Sequence, residues 1–161
     1  MKKLAVVLVA LMFANQSASA ASAIGNSALA LASLVSEHSP VLTLDEKSVM
    51  GQLLHPNPNF SYLADKKITI EADTIVCHQS NVDITARICD LTFGAKKVTV
   101  KGRKAHELFA TIAEVGVPTD GAAGTIYESL SHLACTINPA EIKQKAGGGA
   151  ECKFDPGAGS H

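Results

Sequence analysis

The clearest periodic signal in the chain is helical. Ala105, Leu108, Phe109, Ile112 and Ala113 recur at i, i+3, i+4, i+7 and i+8, with Arg103, Glu107, Ala110 and Glu114 opposite them. The pattern predicts a helix over about 103–115, stopped by Gly116 and Pro118. His106 falls at the margin of its apolar face, where a half-buried histidine is expected. Thr43-Leu44-Asp45-Glu46 has the form of a capping box. Val49, Met50, Leu53 and Leu54 follow at helical spacing. That helix ends before His55-Pro56-Asn57-Pro58-Asn59, because proline lacks the N–H and clashes with the preceding turn. Residues 21–39, rich in Ala, Ser and Leu and followed by Pro40, read as a short first helix or a frayed lead-in.

From Lys67 the period shortens to two. Ile68, Ile70 and Ala72, then Ile75 and Cys77, predict a strand with a slip near Asp73. Val82, Ile84, Ala86 and Ile88 alternate, Leu91 and Phe93 follow out of phase, and Val98 and Val100 form a third strand. The phase change suggests a bulge near Cys89-Asp90. A tight turn at Ser80-Asn81 would set Cys77 opposite Ile84, whereas a longer loop centred near Asp83 sets it opposite Cys89. Residues 125–131 read as further helical turns with Ile126, Tyr127 and Leu130 inward. Leu133, Cys135 and Ile137 then form a strand, and Glu151 to Phe154 a last short one after Gly147-Gly148-Gly149. No internal repeat is evident. The fold class expected is α+β: a small antiparallel sheet with helices packed on one face and two disulfides.

The start of the chain changes the compartment. Lys2 and Lys3 precede an uncharged run from Leu4 to Phe13, then Asn15-Gln16-Ser17 and two small-residue sites, Ala18-Ser19-Ala20 and Ala21-Ser22-Ala23. This is the form of a secretory signal peptide. Its apolar run is about half the ~20 residues a spanning helix needs. The expected organisation is a signal over 1–20 (or cleavage after 23), one α+β domain over 21–155 and a disordered tail over 156–161. The expected location is the periplasm, or the medium beyond it. Removing 20 of 161 residues leaves 141, with 12 Lys+Arg against 15 Asp+Glu, a net charge of −3. That balance argues against nucleic acid, whose binding needs a basic stripe, and against a polybasic lipid contact.

Cys77, Cys89, Cys135 and Cys152 are an even count in an exported chain and read as two disulfides. Three connectivities exist; Cys77–Cys89 with Cys135–Cys152 is favoured, since each pair fits a strand-turn-strand unit. A four-cysteine zinc site is the rival, without any Cys-x-x-Cys pair to support it. Candidate chemistry is sparse. His106-Glu107 lacks the second histidine of the zinc-protease pattern, Ala110 standing there. No phosphate-binding glycine loop or nucleophile elbow occurs. If Cys77 and Cys89 pair, His78 and Asp90 lie diagonally on the opposite face, where a His–carboxylate contact can orient a base. The 55–63 loop concentrates His55, Phe60 and Tyr62 among prolines, a pattern typical of binding anchors. The expected function is an exported binding or inhibitor-type protein without a cofactor, acting on an unidentified protein or small-molecule partner. The alternative is a small hydrolase using His78 and Asp90, or His106.

Overall fold

A computed structural model describes residues 20–55, 66–80, 82–83, 85–122, 125–145 and 147–157. The elements run β1 (Ala21–Ile24), α1 (Gly25–His38), α2 (Leu44–Leu53), β2 (Ile68–Ser80), β3 (Arg87–Phe93), β4 (Lys96–Lys101) and α3 (Gly102–Glu114). After them come β5 (Asp120–Ala122), β6 (Thr125–Ile137), α4 (Pro139–Gln144) and β7 (Ala150–Pro156). The fold is α+β. Six strands form an antiparallel sheet in the order β1-β7-β6-β2-β3-β4, and the short β5 pairs with β6 as well. Helices α1 and α3 cover one face, and α2 packs against α1.

Alternation decides which side chains meet those helices. In β2 the buried positions are Ile68, Ile70 and Ala72, then Ile75, Cys77 and Gln79, so the phase slips at Asp73 as the spacing suggests. In β6 the buried set is Ile137, Cys135 and Leu133, then Leu130 and Glu128. The two strands change phase together. Their pairing stays in register from Ala72–Leu133 to Thr74–Ser131, while the β6–β7 register shifts between Ser131 and Ala134. The core joins these residues to Leu91, Leu108, Ile112, Leu31, Val35, Met50 and Phe154, all essentially inaccessible. Both disulfides, Cys77–Cys89 and Cys135–Cys152, lie in this helix-covered layer. All four cysteines are thereby consumed, and the zinc rival falls.

Several expectations are corrected. Residues 125–131 are strand, because β2 pairs with them throughout and β5 or β7 adds pairs on the other side; tertiary pairing overrides a weak helical pattern. No bulge interrupts β3: its register with β2 and β4 is continuous, and Ile88 simply faces the side away from the helices. The loop through Asp83 is the one that sets Cys77 opposite Cys89. Leu54 and Ala113 are exposed. Strand β7 runs on to Pro156, which pairs with Leu130, and Gly157 donates its N–H to the Ser129 carbonyl, so the tail does not begin at 156. Thr43 and Glu46 do form the capping box at the start of α2.

The structure also contains a repeat that the linear sequence hides. The sheet order is unchanged when β2, β3, β4 and α3 are exchanged for β6, β7, β1 and α1. Each central strand carries a cysteine bonded to the next strand outward. Each outer cysteine faces an edge-strand residue, Cys89 facing Val100 and Cys152 facing Ala23. Two residues later each edge strand turns directly into a helix at a glycine of positive φ, Gly102 (+67°) and Gly25 (+70°). Three residues further on, the Ala105 carbonyl lies 3.6 Å from Cys89 Sγ and the Ala28 carbonyl 3.4 Å from Cys152 Sγ. Leu108 and Ile112 of α3 then match Leu31 and Val35 of α1, all four buried.

Candidate functional site

On the first of these two halves, beneath α3, the inward layer turns polar. Gln79 ends the buried phase of β2 and pairs with Arg87 at the start of β3. Arg87 Nε donates to Gln79 Oε1 in a short hydrogen bond. The guanidinium carbon sits 5.1 Å from the centre of the Phe109 ring on α3, a cation–π arrangement. One strand over, Glu128 faces Cys77 and is 1% exposed. Its Oε1 accepts from Thr119 Oγ1 at 2.7 Å, and its Oε2 has no hydrogen-bond partner. Burial pushes the Glu128 carboxyl above its ordinary range, against the opposing pull of the Thr119 hydroxyl and the Arg87 charge.

Arg87 also lines a cleft of about 410 Å³ together with Thr85, Gly102, Arg103 and His106. Three of these five residues carry basic side chains. Arg103 shares its charge with Glu107 at 2.9 Å, and Lys104 is held by Glu37 and Glu107. Among the described residues no carboxylate forms an ion pair with Arg87. The Lys101 N-cap makes no side-chain hydrogen bond and the first turn of α3 has no acid, so the positive end of the helix adds to the same field.

No family model, curated protein or solved structure matches this chain. The site has to be read from its own geometry.

The sequence-derived candidates are dispersed. His55 is exposed just after α2 and donates its backbone N–H to Gln52, while Phe60 and Tyr62 lie outside the described residues. His78 is on the sheet face away from the helices, its ring 6.1 Å from that of Tyr127. Asp90 is diagonal to it, since His78 pairs with Ile88 and Asp90 with Val76. Both Asp90 oxygens are engaged elsewhere, by Thr99 Oγ1 at 2.6 Å and Lys97 Nζ at 3.1 Å. Those contacts, the Thr99 hydrogen bond above all, hold its carboxyl below the ordinary range. His78 and Asp90 therefore do not form the orienting pair considered from the sequence. His106 is exposed rather than half-buried, and it lines a cleft. Gln79, Arg87, Glu128 and Thr119 were not singled out by sequence reasoning. The available signal was phase: Gln79 continues the inward run of Ile75 and Cys77. Among the described residues no cluster of three His, Cys, Asp or Glu side chains is arranged to hold a metal ion, and no helix is long and apolar enough to cross a membrane.

Proposed function

We propose that this chain is an exported, disulfide-braced binding module that seats a small organic anion in the cleft between the start of β3 and the first turn of α3. The observation that carries the reading is the lining: Arg87, Arg103 and His106 around one concavity, with no acidic side chain on its wall. About 410 Å³ falls in the range of small-molecule sites. Export rests on the Lys2-Lys3 start, the Leu4 to Phe13 run and the Ala-Ser-Ala sites. The two disulfides fit an oxidising compartment. The test is calorimetric titration of the exported protein with a panel of small acids and their neutral and cationic analogues. Saturable binding confined to the acids supports the reading; preference for the cations overturns it.

A second reading, a small periplasmic enzyme, draws on a different observation. A buried carboxyl held toward its protonated form is the kind of group that serves as a general acid. A hydrolase screen run with Glu128→Gln beside the parent chain tests it, and activity unaffected by that change removes Glu128 from the reading. The 55–63 loop stays a proposed second contact region through Phe60 and Tyr62. Phe60→Ala with Tyr62→Ala should abolish partner capture while leaving the melting temperature in place.

A further inference from the structure

We infer that Arg87, backed by the buried Gln79 and Glu128 behind the cleft wall, is the recognition group of this cleft, and that it selects an oxyanion presenting two oxygens side by side, a carboxylate or phosphate monoester, to the free edge of the guanidinium. The inference rests on the cleft being the binding seat and adds the chemistry that it reads.

The repeat supplies an internal control. The two halves share register, disulfide, edge strand and helix start, so positions exchanged by the repeat face similar structural demands. Where the first half pairs Gln79 with Arg87, the second pairs Ile137 with Ala150. Where Cys77 faces Glu128, Cys135 faces Ile70. Around the Cys135–Cys152 disulfide three apolar residues, Ile137, Ala150 and Ile70, satisfy the fold, and around Cys77–Cys89 three polar ones stand in the matching places. Burying polar groups in that layer is costly, more so with Glu128 Oε2 unpartnered. A requirement of the fold does not account for the replacement, since the other half folds without it.

The arrangement of Arg87 narrows the ligand. Its five N–H donors form a rigid fork. Nε–H is taken by Gln79, and the guanidinium carbon sits over the Phe109 ring. The Nη edge is left for a partner, and that edge matches two adjacent oxygens of a carboxylate or phosphate. The Arg87 charge is felt by the buried Glu128 carboxyl, which burial nonetheless pushes above its ordinary range. Arg87 thus stands as a cation that the described part of the chain leaves uncompensated.

The experiment is isothermal titration of the exported chain with benzoate and phenyl phosphate, with benzamide as the neutral control. Arg87→Lys retains the charge and loses the fork. A triple variant, Gln79→Ile with Arg87→Ala and Glu128→Ile, copies the other half of the molecule. Arg103→Gln with His106→Gln removes only the rim charges. One or both acidic probes should bind; which of them does so separates carboxylate from phosphate recognition. Arg87→Lys should weaken that binding about tenfold or more, the scale of one charge-assisted pair. The triple variant should fold, with a melting temperature no lower than that of the parent, and bind neither probe. Unchanged affinity in Arg87→Lys overturns the inference, and so does a triple variant that fails to fold, because the polar set would then be structural. Loss of binding with the rim pair but not with Arg87→Lys overturns it while leaving the cleft as the seat. Absence of binding by either acid to the parent chain removes both readings.

Discussion

Cys77 faces Glu128 across the central strand pair, while Cys135, its counterpart in the repeat, faces Ile70. The same disulfide-bearing position is thus backed by a buried acid in one half and by an aliphatic side chain in the other. The contrast makes the buried acid open to measurement.

Glu128 should give stability a distinctive pH dependence. Its folded carboxyl binds a proton more tightly than the unfolded one, because burial disfavours the charge. Its contribution is fully present below the ordinary glutamate range and is lost as pH rises through the higher folded value. The slope is at most ~1.4 kcal/mol per pH unit for one proton. Glu128→Gln should flatten that decline. Urea unfolding of the two proteins between mildly acidic and neutral pH is the check, and parallel curves would show that Glu128 does not titrate with folding.

Leu108 and Leu31 occupy matching places on α3 and α1, at 1% and 0% exposure. Each truncation to alanine should cost about 2–5 kcal/mol, since a buried leucine leaves a cavity. Denaturant midpoints with unchanged slopes would measure this. A loss under ~0.5 kcal/mol, the range of surface changes, would contradict the packing.

The disulfides close segments with sequence separations of 12 and 17 residues. Removing either as a double Cys→Ala change should cost about 3 kcal/mol by restoring freedom to the unfolded chain. Peptide mapping without reductant should recover Cys77 with Cys89 and Cys135 with Cys152, and a crossed linkage would be incompatible with the register.

Much of the fold was legible where local pattern and tertiary demand agree. The α3 stripe, the capping box at Thr43 and the slip at Asp73 all follow from spacing, whereas the choice between a turn at Ser80-Asn81 and a loop through Asp83 was left open. The first half of β6 was not legible, because Ile126, Tyr127 and Leu130 suit a helix as well as a strand until partners on both sides are known. Strand β1 was hidden because Ala21-Ser22-Ala23 also has the form of a cleavage site. The repeat was hidden because its second half is permuted, with its edge strand and helix at 21–38 and its other two strands at 125–156. The polar set was illegible for a related reason: Arg87 and Glu128 are 41 positions apart, and only β2 lying between their strands brings them under one helix.

That double reading of Ala21-Ser22-Ala23 separates the two cleavage sites. Cleavage after Ala23 removes three of the four residues of β1, including buried Ala23, the partner of Cys152. Cleavage after Ala20 leaves the strand whole. Intact-mass measurement of exported protein should therefore find a chain beginning at Ala21, and a chain beginning at Ile24 would contradict the β1 pairing.

If the chain is exported as proposed, the pairing of β1 with β7 has a consequence for the order of events. A chain threaded through a channel from its N-terminus delivers Ala21–Ile24 and α1 first, yet their strand partner, Ala150–Pro156, arrives last. The Ala28 carbonyl and Cys152, in contact when folded, are 124 positions apart. Until β7 is made, Leu29, Leu31 and Val35 lack the β1–β7 edge against which α1 packs. The half built from 68–114 is contiguous and can assemble as it emerges; the other must wait. Contacts so distant along the chain slow folding, so on the proposed route of export the leading helix would be the element left longest without its strand partner.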